Sequence, residues 1–193
     1  MVKTASTMLK LGSQLEGFHL LEPKTKNRVA LSDASGGVDA YLVLFICNHC
    51  PFVVHIADKL AQVCNQWHSM GVAVYAINSN DVERYPEDDP SKMVDFANRY
   101  GFKFPYLFDP DQTVARQFDA ACTPDFFLLN AQRRLVYRGQ FDDSRPGNDA
   151  VVTGADLSRA VEELLAGKQV SGDQKPSLGC NIKWKPGNEP AYF

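Results

Sequence analysis

The sequence has no apolar run near the ~18 residues that a membrane-spanning helix requires; even Ala40–Ile46 falls far short. The N-terminal stretch MVKTASTMLKLGSQLEGF lacks the uninterrupted apolar core of a signal peptide. A cytoplasmic location is therefore expected. Neither charge dominates, since 20 Lys and Arg against 23 Asp and Glu leave a net −3. The basic residues are scattered, which argues against nucleic acid, and no acidic tail invites a charged partner. Internal repeats and low-complexity tracts are absent. Cysteine is sparse and odd in number, at five, so any full pairing strands one thiol. In a reducing compartment, such cysteines point to catalysis or metal binding rather than permanent bridges. What is present suffices for a core without disulfide staples: 193 residues, 45% hydrophobic.

The apolar patterning predicts alternating strands and helices. Phe18–Leu21 and Arg28–Leu31 flank the polar turn Glu22–Asn27 and read as a hairpin, with Gly36-Gly37 closing the segment. Ala40–Ile46 reads as a strand buried on both faces. A helix over 51–70 puts Val53, Ile56, Ala57, Leu60, Val63, Cys64 and Trp67 on one face; Pro51 suits its first turn and Gly71 its stop. Val72–Asn78 is a second buried strand. A polar, acidic stretch leads to a helix starting at Asp89-Pro90, then a strand at Pro105–Phe108 and a short helix at Gln112–Phe118. Asp125–Leu129 and Leu135–Arg138 pair around a turn. Thr153-x-x-Asp156 has the form of a capping box that opens a last helix, ended by Gly167. This alternation implies an α/β fold with a mixed central sheet, over residues 1–167. Residues 168–193, rich in Gly, Pro and Lys, read as an extended tail.

The chemistry concentrates at Cys47-Asn48-His49-Cys50. Two thiols three positions apart can close a disulfide across a first helical turn. The free N–H groups and positive dipole end of that turn favour a thiolate, expected on Cys47. His49 can favour it further. Cys47 is then the nucleophile and Cys50 the resolving thiol. The spacing Cys47-x2-Cys50-x13-Cys64-x3-His68 also resembles a zinc-finger template. An unbroken helix would put Cys64 about 21 Å along its axis from Cys50, too far for one ion. No metal ligands and no cofactor are predicted.

The order strand, CxxC, helix, strand, then Thr123-Pro124 before a strand resembles the thioredoxin superfamily. That resemblance implies a thioredoxin-like fold, a cis Pro124 opposite the CxxC, and backbone pairing of Thr123 with a substrate peptide. The N-terminal hairpin and the insert at 79–105 resemble peroxiredoxins of the alkyl hydroperoxide reductase/thiol-specific antioxidant branch. Cys50-Pro51 falls on their peroxidatic Cys-Pro, with Cys47 replacing their Thr. The tail Gly179-Cys180-Asn181-Ile182-Lys183-Trp184-Lys185-Pro186-Gly187 is similar to a resolving-cysteine segment. Val43 stands where peroxiredoxins have a proline and Pro124 where they have an arginine, which weakens a peroxide pocket. Ile46 and Tyr41 replace the Trp and buried Asp of thioredoxin.

The resemblance implies a thiol–disulfide oxidoreductase acting on protein disulfides or a small thiol, and recharged by a cellular thiol reductant. A thiol peroxidase with Cys50 peroxidatic and Cys47 or Cys180 resolving is the enzymatic alternative. A non-catalytic redox-sensing or chaperone-like module is the other. Cys180 could serve its own chain or a partner subunit, so a homodimer stays open. Among the remaining candidates, Cys122 is a third redox thiol or a packed residue, Cys64 is inert core, and His55 is surface. Asp81, Glu83, Glu87, Asp88 and Asp89 read as a solvated loop. Arg145, in the turn Asp142–Asn148, either meets an anionic substrate or makes a structural contact.

Overall fold

A computed structural model describes residues 3–31 and 38–192. The expected Gly36-Gly37 stop lies outside the described residues. Ten strands and four helices follow in order: β1 (Lys3–Ala5), β2 (His19–Leu21), β3 (Arg28–Ala30), β4 (Ala40–Phe45), α1 (Pro51–Ser69), β5 (Ala73–Asn78), α2 (Pro90–Arg99), β6 (Tyr106–Phe108), α3 (Thr113–Gln117), β7 (Cys122–Thr123), β8 (Asp125–Asn130), β9 (Leu135–Gly139), α4 (Ala155–Leu165) and β10 (Leu178–Asn181). A single 3-10 turn, Pro86–Asp88, precedes α2.

The main sheet has the strand order β3-β2-β6-β5-β4-β8-β9. β4, β5 and β6 run parallel, and β8 returns antiparallel to β4. This is the mixed sheet expected, in a thioredoxin-like arrangement. Alternation within β4 divides the core in two. Leu42 and Leu44 pack under α1 with Val53, Leu60 and Cys64. Tyr41, Val43 and Phe45 face Phe118, Phe127 and Trp184 on the other side. Pro51 opens α1 with Cys50 as its N-cap, and Gly71, at φ 93°, follows its last turn. Among the described residues, no helix is long and apolar enough to cross a membrane.

The capping box expected at Thr153 does not form. Gly154 is the N-cap of α4, at φ 70°, and the buried Asp142 carboxylate accepts from both Thr153 N and Gly154 N at 2.6 Å. Asp156 instead accepts from Gln140 Nε2 at 2.6 Å. Asp142 holds the two backbone N–H groups at the entry to α4, and Thr153 Oγ1 accepts from Ala155 N at 3.2 Å.

A second sheet, β1-β10-β7, had no counterpart in the patterning. It binds the chain's last segment to its first strand and to the strand before Pro124. In it Cys180 pairs with Thr123 and Lys3 pairs with Cys180. Residues 168–192 are extended but docked. Ile182 and Trp184 are buried, Lys183 N donates to Asn80 Oδ1, and Lys185 N donates to Gln112 Oε1, both at 2.8 Å. A Cβ on Gly179 would fall 2.0 Å from the Thr123 carbonyl oxygen, well inside contact distance. Gly179→Ala should therefore lift β10 and free Cys180, which is 2% exposed. Native-state alkylation read by mass spectrometry should label Cys180 at least tenfold faster in this variant, while the circular dichroism of the main sheet stays unchanged.

Candidate functional site

The CxxC occupies the turn between β4 and α1. Cys47 and Cys50 are both buried, at 1% and 0% exposure. The Thr123-Pro124 bond is cis, as the thioredoxin resemblance implied. Thr123 lies against both cysteines: its Oγ1 is 3.4 Å from Cys47 Sγ, and its carbonyl oxygen is 3.2 Å from Cys50 Sγ. Cys180 Sγ is 2.9 Å from Cys50 Sγ, with all five cysteines in the thiol form. Cys50 thus stands between the tail thiol and the other CxxC thiol.

The order of acidity is the reverse of the expectation. Burial, chiefly, pushes the Cys47 thiol well above its ordinary range, and the nearby Asp88 charge adds to this. Cys50 is held well below that range, first by its contact with the Cys180 thiol, then by that with Cys47. Magnitudes explain the reversal. A helix N-terminus contributes about 0.3–1 kcal/mol, rising to ~2 in favourable geometry. Desolvating a fully buried acid can shift its pKa by 3–5 units, or about 4–7 kcal/mol. At Cys47 burial wins. At Cys50 four contacts act together against burial, from Cys180, Cys47, the Val53 backbone and Thr123, and at about 1.5–3 kcal/mol each they outweigh it. The contact with Cys50 pushes the Cys180 thiol upward.

The middle of the CxxC is held by residues the sequence reading assigned to a solvated loop. Asp88 is fully buried and Asp81 nearly so. Asn48 N donates to Asp88 Oδ1 at 2.8 Å, and Asn80 Nδ2 donates to Asp88 Oδ2 at 2.7 Å. Asn48 Nδ2 donates to the Glu87 carbonyl, and Tyr106 Oη donates to Asn48 Oδ1. His49 Nδ1 lies 2.9 Å from Asp88 Oδ2, an ionic contact not aligned as a hydrogen bond. His49 also stacks on Tyr85, with rings 6.1 Å apart and 3° from parallel, and Lys183 Nζ sits over the far ring at 5.6 Å. Asp88 raises the His49 pKa against the opposing effect of partial burial. Only composition pointed to this segment, and composition cannot separate a buried carboxylate from a solvated one.

The remaining candidates fall away from the sulfurs. α1 is unbroken, so Cys64 stays in the core and the zinc-finger spacing gathers no common ligand set. Burial pushes the Cys64 thiol upward. His55 is half-buried on α1. Cys122 is buried, pairs with Asn181 and lies 3.6 Å from the Pro124 carbonyl. The Arg145 guanidinium is bound within its own turn, to the Asp142 and Ser144 carbonyls and to Gln140 Oε1. It makes the structural contact. A narrow groove beside Pro124 is lined by Phe52, Ile56, Phe141 and Leu178 together with Ser144, Arg145 and Ser177. A wider cleft of about 410 Å³ lies between the β2–β3 turn and α2. Its link to the thiols is Tyr106, whose ring lines it.

Two measurements follow from this arrangement. Thiolate ultraviolet absorbance at about pH 5 should persist in wild type and in Cys47→Ser but disappear in Cys50→Ser, since the group with the depressed pKa carries the charge. His49 has a raised folded pKa, so its stabilising contribution is complete below the unfolded value and is lost as pH rises through the folded one. The melting-temperature advantage of wild type over His49→Phe should be largest at about pH 5.5 and smallest near pH 8.

Comparison with known proteins bears on the whole chain. The AhpC/TSA family model matches residues 11–138. A conserved protein from Geobacillus kaustophilus, known by its crystal structure, is 47% identical with a TM-score of 0.93, over 97% of this chain and 98% of that one. A protein from Sinorhizobium meliloti 1021 is 48% identical with a TM-score of 0.90, over 95% of this chain and 100% of that one. The thiol-disulfide oxidoreductase ResA of Bacillus subtilis is 28% identical over 131 residues. That match covers 65% of this chain and 64% of ResA.

Proposed function

The chain belongs to the AhpC/TSA family, and we propose that it is a thiol–disulfide oxidoreductase in which Cys50, not Cys47, attacks the substrate. The observation that carries this reading is the place of the Cys50 sulfur, 2.9 Å from Cys180 Sγ and 3.2 Å from the Thr123 carbonyl oxygen, where its thiol neighbours lower its pKa. Cys50 displaces one sulfur of a substrate disulfide as a thiolate, which takes up a proton, and forms a mixed disulfide. A second thiol, Cys47 or Cys180, loses its proton and attacks the Cys50 sulfur, releasing the other substrate thiol. The substrate gains two electrons, and the enzyme is left with Cys47–Cys50 or Cys50–Cys180 oxidised. A cellular thiol reductant returns it to the dithiol. The kinship with ResA supports this substrate class. Pro124 and the groove beside it offer an extended peptide a surface next to the sulfurs.

A peroxidase reading has one observation in its favour. Cys50 is fully buried, and a small peroxide reaches such a sulfur more easily than a protein disulfide does. Cys50 would then be oxidised to a sulfenic acid and resolved by the same thiols.

Insulin reduction and peroxide consumption, each with a supplied thiol reductant, test both readings. Cys50→Ser should abolish insulin reduction. Cys47→Ser and Cys180→Ser should each retain part of it, and the double variant should lose it. Full activity in Cys50→Ser would overturn the assignment. Peroxide turnover exceeding insulin reduction by tenfold or more would select the peroxidase.

A further inference from the structure

Cys47, His49 and Asp88 bring three different donor atoms together at the CxxC turn. The Cys47 sulfur, a His49 ring nitrogen and an Asp88 carboxylate oxygen all lie within 4.8 Å of one another. They come from two elements, the β4–α1 turn and the 3-10 turn before α2, so the fold, not chain proximity, sets the cluster. We propose that the reduced protein binds one divalent cation of the zinc class between these three side chains.

The donor set fits such an ion. Thiolate sulfur, imidazole nitrogen and carboxylate oxygen are all ligands of Zn²⁺, and three protein ligands with an open fourth position form a recurrent zinc geometry. The existing contacts leave the necessary lone pairs. Asp88 Oδ1 accepts from Asn48 N and Asp88 Oδ2 from Asn80 Nδ2, one donor for each oxygen. These bonds fix the carboxylate as ligand-orienting partners do elsewhere. The His49 Nδ1 atom is shielded from solvent, faces Asp88 Oδ2 at 2.9 Å and has no aligned hydrogen bond. A nitrogen lone pair and a carboxylate at that distance repel unless a proton or a metal ion lies with them. Cys47 Sγ has Thr123 Oγ1 as a 3.4 Å neighbour, a weak contact that an ion would outweigh. Binding releases the Cys47 thiol proton to solvent. A disulfide at Cys47 would remove the thiolate ligand, so the ion would be held only by the reduced form.

The alternative to exclude is plain dithiol chelation by Cys47 and Cys50, which needs neither His49 nor Asp88. The experiment is a Zn²⁺ titration of the fully reduced, metal-stripped full-length protein against a chromophoric chelator, repeated with Co²⁺ to record the thiolate charge-transfer band. Wild type should bind one equivalent. His49→Phe, which keeps a ring to stack on Tyr85, and Asp88→Asn should each weaken binding by about tenfold or more. Cys50→Ser and Cys180→Ser should retain both binding and the cobalt band, and Cys47→Ser should lose them. If Asp88→Asn fails to fold, His49→Phe decides alone. No saturable binding by wild type would overturn the proposal. So would wild-type affinity in His49→Phe, or loss of the ion in Cys50→Ser.

Discussion

With a Cβ on Gly179 only 2.0 Å from the Thr123 carbonyl oxygen, β10 can lie along β7 only if that position has no side chain. The thiol site depends on this close approach. It sets Cys180 opposite Thr123 in the strand register and brings its sulfur to Cys50. The same Thr123 carbonyl lies 3.2 Å from Cys50 Sγ. One peptide unit therefore connects the tail, the cis proline and the CxxC. The tail's other anchors, Asn80 and Gln112, are buried side chains that meet backbone groups of residues 183 and 185. Each satisfies polar groups that would otherwise be costly to bury.

Burial and pairing, rather than the helix dipole, set the acidity of the sulfurs. Cys47 precedes α1, and Cys50 is its N-cap. Both are removed from water, which opposes ionisation of either. Only Cys50 has thiol neighbours on two sides to offset this cost. Cys47 faces the negative Asp88 instead. β10 lies against the CxxC turn, and Cys50 beneath it is fully removed from water.

The acidic segment after β5 shows how a loop becomes part of a site. Its single 3-10 turn delivers Asp88 beneath the CxxC, where it holds the Asn48 backbone and faces His49. Tyr85 from the same segment neighbours both His49 and the Lys183 ammonium of the tail. Loop, CxxC turn and tail are thus joined by direct contacts.

Much of the architecture was legible in the residues themselves. The seven-residue apolar run at 40–46, the one-sided helix over 51–69 and the CxxC at their junction all follow from periodicity, which is a local property. The cis Pro124 was implied by resemblance and then found, whereas the tail resemblance left open which CxxC thiol Cys180 meets, and the fold brings it to Cys50. Three things depended on tertiary structure. β1, β7 and β10 are two to four residues long and pair across more than fifty positions, so no local pattern marks them. The entry to α4 is held by Asp142, eleven residues before Thr153, as well as by the Thr153 hydroxyl at its own start. The ionisation order of Cys47 and Cys50 depends on which charges and thiols are packed around each sulfur. Sequence alone determined which residues could carry the chemistry. The fold decided how their acidities are ordered, because desolvation and hydrogen-bond partners exist only once distant segments have closed around the thiols.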